Sequence, residues 1–261
     1  MWSMEIIQCT NIVTIIVIMI HPQVTGNAIA HERRDAKNRQ SDNLSLNYKG
    51  KQPVPKSNIL LRQSEQDVSE FGYDMTYLRR FLGQGQIDPL DDACVLQLGG
   101  CCTEMMSEAC TAVMELTSRG YCDYTAINLN CGCPSPKVAG KGCFGAALMD
   151  DATLVKNVVK SMSEGCNNAL PITVKCRIGT DTGFQYSKQN YYEQSDEEEY
   201  SKLCQFIETV ASSDVVTDFQ IHARIAVLSK KFSPADNRKV PELKYHYIRK
   251  LVEDYPELSF R

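Results

Sequence analysis

Residues 126–138 read Ala126-Ile127-Asn128-Leu129-Asn130-Cys131-Gly132-Cys133-Pro134-Ser135-Pro136-Lys137-Val138. Ile127 and Leu129 alternate with polar neighbours, the two-residue period of a strand. Gly132 and Pro134 end it, because proline offers no donor to a ladder and glycine admits a tight turn. Cys133 therefore stands at the carboxyl end of a strand and the start of a loop, where α/β folds concentrate their chemistry. Downstream, Gly142–Met149 predicts a tight turn entering a helix of small residues.

Outward from this stretch the same rhythm recurs. Ala93–Leu98 reads as the preceding strand, and Met105, Met106, Ala109, Cys110, Val113 and Leu116 mark one helical face that ends at Gly120. A helix is expected from about Ala152 to Ser163, opened by Asp150-Asp151, followed by a strand over Ile172–Cys176. Asp181–Ser195 is a polar, tyrosine-bearing insertion, and Asp196–Glu199 reads as the solvated start of a helix. Phe219–His222, Leu243–Asp254 and Leu258–Phe260 then give a strand, a helix and the start of another strand. Strands alternating with helices predict a parallel α/β architecture.

The totals bound what such a chain can do. Its 261 residues suffice for one sizeable domain or two small ones. A formal net charge of -4 excludes a generally basic nucleic-acid binder, so any RNA surface has to be local. The 12 cysteines form no C-x-x-C pair, so they read as free thiols in a reducing compartment, not as a metal site or a disulfide scaffold.

The amino-terminal third reads differently. Ile12–Ile20 is almost wholly apolar, too short to span a bilayer, and rich in β-branched residues, which predicts a buried parallel strand. A divergent secretory or organellar signal is the alternative, with Ala28-Ile29-Ala30 as its cleavage site, although Glu5 is the only charge before the run. From Arg33 to Gln66 the composition is polar with few periodic apolar residues, which predicts a disordered insertion reaching to about residue 75. Thr76–Phe81 reads as a short helical return. The expected organisation is thus a strand and short helix over 1–32, an insertion over 33–75, and a partial barrel over 76–261.

Asn130-x-Gly132-Cys133-Pro134, then Val138, then Gly145-x-x-Leu148-Met149 resembles the signature of the tRNA-dihydrouridine synthases, and of their A class in particular. Further blocks follow in the family's order: Leu96-Gln97-Leu98-Gly99-Gly100, Val174-Lys175-x-Arg177-Ile178-Gly179 and Ile221-His222-Ala223-Arg224. Leu228-Ser229, Ser233-Pro234, Asn237-Arg238 and Pro241 continue the series. The resemblance implies a TIM (β/α)8 barrel that binds FMN and uses NADPH to reduce uridine to 5,6-dihydrouridine in the D-loop of tRNA. About five βα units and the opening of a sixth can be counted. The family's first strand, its last strands and its helical tRNA-binding domain have no match, so the barrel is expected to be incomplete.

The resemblance also implies roles. Cys133 matches the cysteine that protonates the uracil ring; an ordinary thiol keeps its proton at neutral pH and releases it to a carbon that becomes basic. Cys131 does not match and is read as a bystander. Gln97, Lys175 and His222 match flavin contacts, the lysine beside the carbonyl edge where reduced flavin carries charge. Asn130 matches a tRNA-contacting residue, while an Asn at a strand end is also a common turn former. Arg177 and Arg224 are expected to reach uracil or flavin oxygens. Ser233 and Asp236 lie in a loop that touches tRNA in relatives, and Lys230, Lys231 and Arg238 make it locally basic. No metal, membrane or stable protein partner is implied, and a cytoplasmic location is expected. Two other readings stay open: another FMN barrel acting on free pyrimidines, of the dihydroorotate or dihydropyrimidine dehydrogenase type, and a catalytically silent partial barrel with weak RNA contact.

Overall fold

A computed structural model of the chain describes residues 94–134, 144–182, 195–229 and 232–261, together with the strand backbone at 7–9, 12–14 and 17–18. The insertion expected over 33–75, the short helical return at 76–81 and most of the 181–195 insertion lie outside the described residues, as do Lys230 and Lys231.

Six strands form one parallel sheet in sequential order: β3 (Val17–Ile18), β4 (Val95–Gly99), β5 (Ala126–Cys131), β6 (Ile172–Arg177), β7 (Asp218–His222) and β8 (Ser259–Phe260). Each strand pairs with the one before and after it, with no reversal of order. That is the winding of a (β/α) barrel; a doubly wound sheet would have a switch point. Among the described residues β3 and β8 are the two ends of the sheet, which forms an arc of the barrel and does not close. The apolar run at 12–20 is not one strand. β2 (Ile12–Thr14) pairs antiparallel with β1 (Ile7–Cys9), and among the described residues of the run Val17–Ile18 joins the parallel sheet, against Leu98 and Gly99. A uniform β-branched run carries no punctuation to mark that break.

Between the strands lie α1 (Thr103–Ser118), a 3-10 helix (Gly145–Asp150), α2 (Ala152–Gly165), α3 (Asp196–Ala211), α4 (Asp236–Lys239) and α5 (Tyr245–Asp254). Their termini follow from local chemistry. The Asp151 side chain accepts from Leu154 N at 2.9 Å and caps α2, and Ser195 does the same for α3 from Glu198 N at 3.3 Å. Gly120, at φ +71°, ends α1 in the left-handed conformation that a side chain would disfavour. The acidic run opening α3 is only partly solvated. Glu199 is buried and meets Lys244 Nζ at 2.5 Å, and Tyr247 donates to it at 3.0 Å.

Register separates the sheet into two faces, because residues paired across parallel strands point the same way. One face carries Leu96, Leu98, Ile127, Leu129, Cys131, Ile172, Val174, Cys176 and Phe219, all within the buried core. It is covered by apolar residues of α1, α2 and α3, such as Val113, Val158 and Ile207. Each fully buried Leu or Val there contributes about 1.5–3 kcal/mol. Packing between α1 and α2 is close enough to require glycine: a Cβ on Gly165 would lie 2.3 Å from Ser107 O.

The other face is polar, in three rows. Gln97, Asn128 and Thr173 form the deepest, and Asn130, Lys175 and Gln220 the next. Arg177 and His222 stand at the carboxyl ends.

Candidate active site

The polar rows converge on the loops that follow β5, β6 and β7. Asn130, the last polar residue of β5, turns its Oδ1 onto the chain ahead and accepts from Gly132 N at 3.0 Å and Cys133 N at 3.1 Å. This is an Asx turn. It fixes the backbone of Cys133, whose carbonyl also accepts from Ala146 N at 2.9 Å. The Cys133 side chain is partly exposed, whereas Cys131 points to the opposite face and is sealed in the core. Burial, with the neighbouring Cys176, pushes the Cys131 thiol well above its ordinary range and leaves it chemically quiet.

Arg177 is anchored to the backbone around it. It is 4% exposed, and its guanidinium donates to three backbone carbonyls. Nε reaches Gly132 O at 3.2 Å, and one terminal nitrogen reaches Ile225 O at 3.1 Å and Asn237 O at 3.0 Å. One side chain thus ties together the Cys133 loop, the loop after β7 and helix α4. Burial lowers its pKa to about 10, with Arg224 and Arg238 adding to the effect and Cys133 opposing it, so it stays charged at neutral pH.

Asn237, which sequence reasoning passed over, completes this tie. Fully buried, it accepts from Val227 N at 2.8 Å and returns a bond to Val227 O at 2.9 Å. Ser233 and Asp236 bond each other at 2.8 Å. Each side chain also accepts from the other's backbone N–H, at 3.0 and 3.1 Å. These reciprocal bonds have the pattern of a capping box and close the turn that leads into the short α4; the spacing Ser-x-x-Asp was their signal in the sequence. Arg224 donates to Pro241 O.

Lys175 lies half-buried beside Asn130 and Gln220, and no carboxylate pairs with it among the described residues. His222 is paired in register with Arg177. Burial first, then the charges of Arg177, Arg224, Lys175 and Arg238, lower its pKa from 6.5 to about 4. The charges acting on His222 are all cationic, and at Arg177 the Cys133 thiol opposes those of Arg224 and Arg238. A chain that is acidic overall therefore gathers cations at the carboxyl ends of its strands, which favours an anionic ligand.

The lowered pKa of His222 has a measurable consequence. An unfolded histidine titrates near 6.5, so between about 6.5 and 4 the unfolded chain binds a proton that the fold refuses. Stability present above pH 6.5 is lost as pH falls through that window. With solvent screening of the half-buried ring, the loss is on the order of 1–2 kcal/mol. Urea titrations should show His222→Gln flattening this part of the pH–stability curve; superimposable curves would count against the placement.

Gln97, Asn130, Lys175 and His222 fit the polar edge of a flavin. Cation, neutral imidazole and two amides face one side. No group of three or more His, Cys, Asp or Glu among the described residues could hold a metal ion, and no helix there is long and apolar enough to cross a membrane.

An arc of singly wound barrel with a thiol, amides and cations at its carboxyl ends matches one family. The family model described as dihydrouridine synthase covers residues 76–260, and the chain belongs to that family. It is 41% identical over 169 residues to a tRNA-dihydrouridine(20/20a) synthase of Yersinia pestis, covering 65% of this chain and 42% of that protein. The protein of the same name from Haemophilus ducreyi is 37% identical over 174 residues, 67% of this chain and 46% of that one. The one from Escherichia coli K12 is 40% identical over 164 residues, 63% and 41%. The matches thus span less than half the length of these relatives.

Proposed function

We propose that this chain carries the catalytic arc of a tRNA-dihydrouridine synthase, reducing uridine to 5,6-dihydrouridine in the tRNA D-loop with FMN and NADPH. The observation that carries the reading is the Asx turn at Asn130, which holds Cys133 at the mouth of a cationic site.

Bound in its reduced form, FMN supplies the hydride that goes to uracil C6. The chain's own residues supply the rest. Cys133 holds a proton on Sγ and delivers it to C5 from the opposite side, as general acid. Asn130 keeps that thiol in place through its Oδ1, and its Nδ2 is left to contact the substrate base. Lys175 stabilises negative charge on the flavin's carbonyl edge, and His222, neutral at pH 7, is a hydrogen-bonding partner there without adding repulsion. Gln97 meets the same edge. Arg177 acts by position through Nε and one terminal nitrogen, and its other terminal nitrogen is left to meet an oxygen of the bound ring. Arg224, at the same mouth, screens phosphate or carbonyl oxygens. The capping box of Ser233 and Asp236 presents Arg238 and Lys239 on an exposed turn, a local basic surface for tRNA. A uridine inside a folded tRNA has to leave its stack to reach this site.

The direct test is dihydrouridine formation. The chain, supplied with FMN and NADPH, should convert a D-loop uridine in unmodified tRNA and leave free uracil, dihydropyrimidine and dihydroorotate untouched. Turnover of free pyrimidines with no action on tRNA would replace this reading with the other flavin barrel. Lys175→Met should weaken FMN retention by about tenfold, the loss of one charge-assisted contact, as read by flavin fluorescence on dilution. Unchanged retention and unchanged reduction by NADPH would remove Lys175 from the flavin edge.

A further inference from the structure

Helix α5 starts at the rim of the site and leaves one aromatic ring in the open. The Lys244 backbone N–H donates to Ala223 O at 2.8 Å, one residue beyond His222, and Arg224 donates to Pro241 O. These bonds tie the start of α5 to the loop after β7. The Lys244 side chain turns back to α3, where Nζ meets Asp196 at 2.7 Å and the buried Glu199 at 2.5 Å. Tyr247 closes the same knot, donating to Glu199 at 3.0 Å. Tyr245 stands between these two and takes no part in it. It is 61% exposed, the most exposed large apolar or aromatic side chain among the described residues.

Its neighbours in the chain are cationic. Arg249 follows one turn later on the same helix face, and Arg238 and Lys239 belong to α4 just upstream. All three are exposed, and no carboxylate pairs with them among the described residues. From 238 to 250 the exposed charges are Arg238, Lys239, Arg249 and Lys250 against Glu242 alone. Asp196, across on α3, is matched by Lys244 and by His246 at 3.3 Å. An apolar protein contact wants contiguous apolar area, and here Arg249 lies between Tyr245 and the exposed Val252. An exposed ring among unpaired cations suits single-stranded nucleic acid, whose bases stack on the ring while its phosphates meet the cations.

We propose that Tyr245 is a stacking platform for a base flanking the reacting uridine, with Arg249 meeting a phosphate of the same strand. This rests on the tRNA reading given above. A uridine drawn out of its stack leaves the adjoining base with one bare face. A tyrosine ring covers that face whatever the base, so it holds the opened loop without reading its sequence.

The full chain, loaded with FMN, is titrated with unmodified tRNA and read by anisotropy over a range of salt. Tyr245→Ala should weaken binding about tenfold at every salt concentration, whereas Tyr245→Phe, which keeps the ring, should stay within about twofold of wild type. Arg249→Gln should instead lower the slope of log affinity against log salt by about one. In turnover the Tyr245→Ala loss should fall on KM for tRNA, with FMN retention as in wild type. An abasic nucleotide beside the reacting uridine should weaken wild-type binding by the same factor and leave Tyr245→Ala with nothing further to lose. Wild-type affinity in Tyr245→Ala, or a Phe variant as weak as the Ala one, overturns the inference and leaves the tRNA reading standing. So does a Tyr245→Ala chain that binds tRNA normally but loses self-association in sedimentation, which would make this face a protein contact. A folded chain that binds no tRNA overturns both.

Discussion

Cys133→Ala is expected to lower dihydrouridine formation by at least about a hundredfold, the usual contribution of a positioned general acid, while FMN stays bound. The expectation combines chemistry and placement. In the proposed reaction a hydride at C6 would leave a developing carbanion at C5, and among the described residues Cys133 is the only partly exposed thiol fixed by Asn130 beside the cationic rows. The control is Cys131→Ala. That thiol is sealed on the helix-packed face, so its loss should reduce stability modestly and leave turnover per folded molecule unchanged. Single-turnover assays of both variants, with flavin absorbance recorded alongside, separate the roles. Equal losses of turnover in the two, with the fold intact, would refute the assignment.

The largest stability effect should come from Arg177→Met, at about 3–5 kcal/mol, measured by urea unfolding. Methionine fills much of the space but donates nothing, leaving Gly132 O, Ile225 O and Asn237 O without their shared partner. Each stranded buried acceptor costs about 1–3 kcal/mol, with part recovered by local relaxation. Arg177→Lys should rescue only a fraction, since a single ammonium cannot span three loops with the geometry of a planar guanidinium. A change below about 1 kcal/mol would mean that the three loops hold their places without it.

Most of the architecture was legible because strand and helix periods differ and the two alternate along the chain. From residue 94 onward the observed strands match expectation to within a residue or two, the usual fraying of element ends, whereas the run at 12–20 does not. The site was legible only as a set of candidates. Asn128, Asn130, Lys175 and Gln220 stand out as polar residues at alternate strand positions, but a polar alternate ordinarily faces water. That these instead line a barrel interior depends on strand order, which no local pattern contains. The tie between Arg177 and Asn237 was unreadable for a related reason. Their bond joins positions 60 apart, and an asparagine signals no such bond until its distant partner is in place. Ser233 and Asp236 are the opposite case: the Ser-x-x-Asp signal for their mutual bonds stands in the sequence itself.

The stepwise pairing of the sheet bears on how the protein is made. Gln97 and Asn128 lie 31 residues apart and Asn128 and Thr173 lie 45 apart, so every rung joins segments that leave the ribosome at different moments. The anchor at Asn237 emerges later than all three. Until it arrives, the earlier strands stand with an open edge and a row of amides and cations that nothing yet closes over. Such non-local topologies fold slowly and expose sticky surface on the way. Chaperone demand and sensitivity to translation speed should therefore be set by the segment from 218 to 241, and synonymous or stabilising changes there should alter soluble yield more than equal changes near α1.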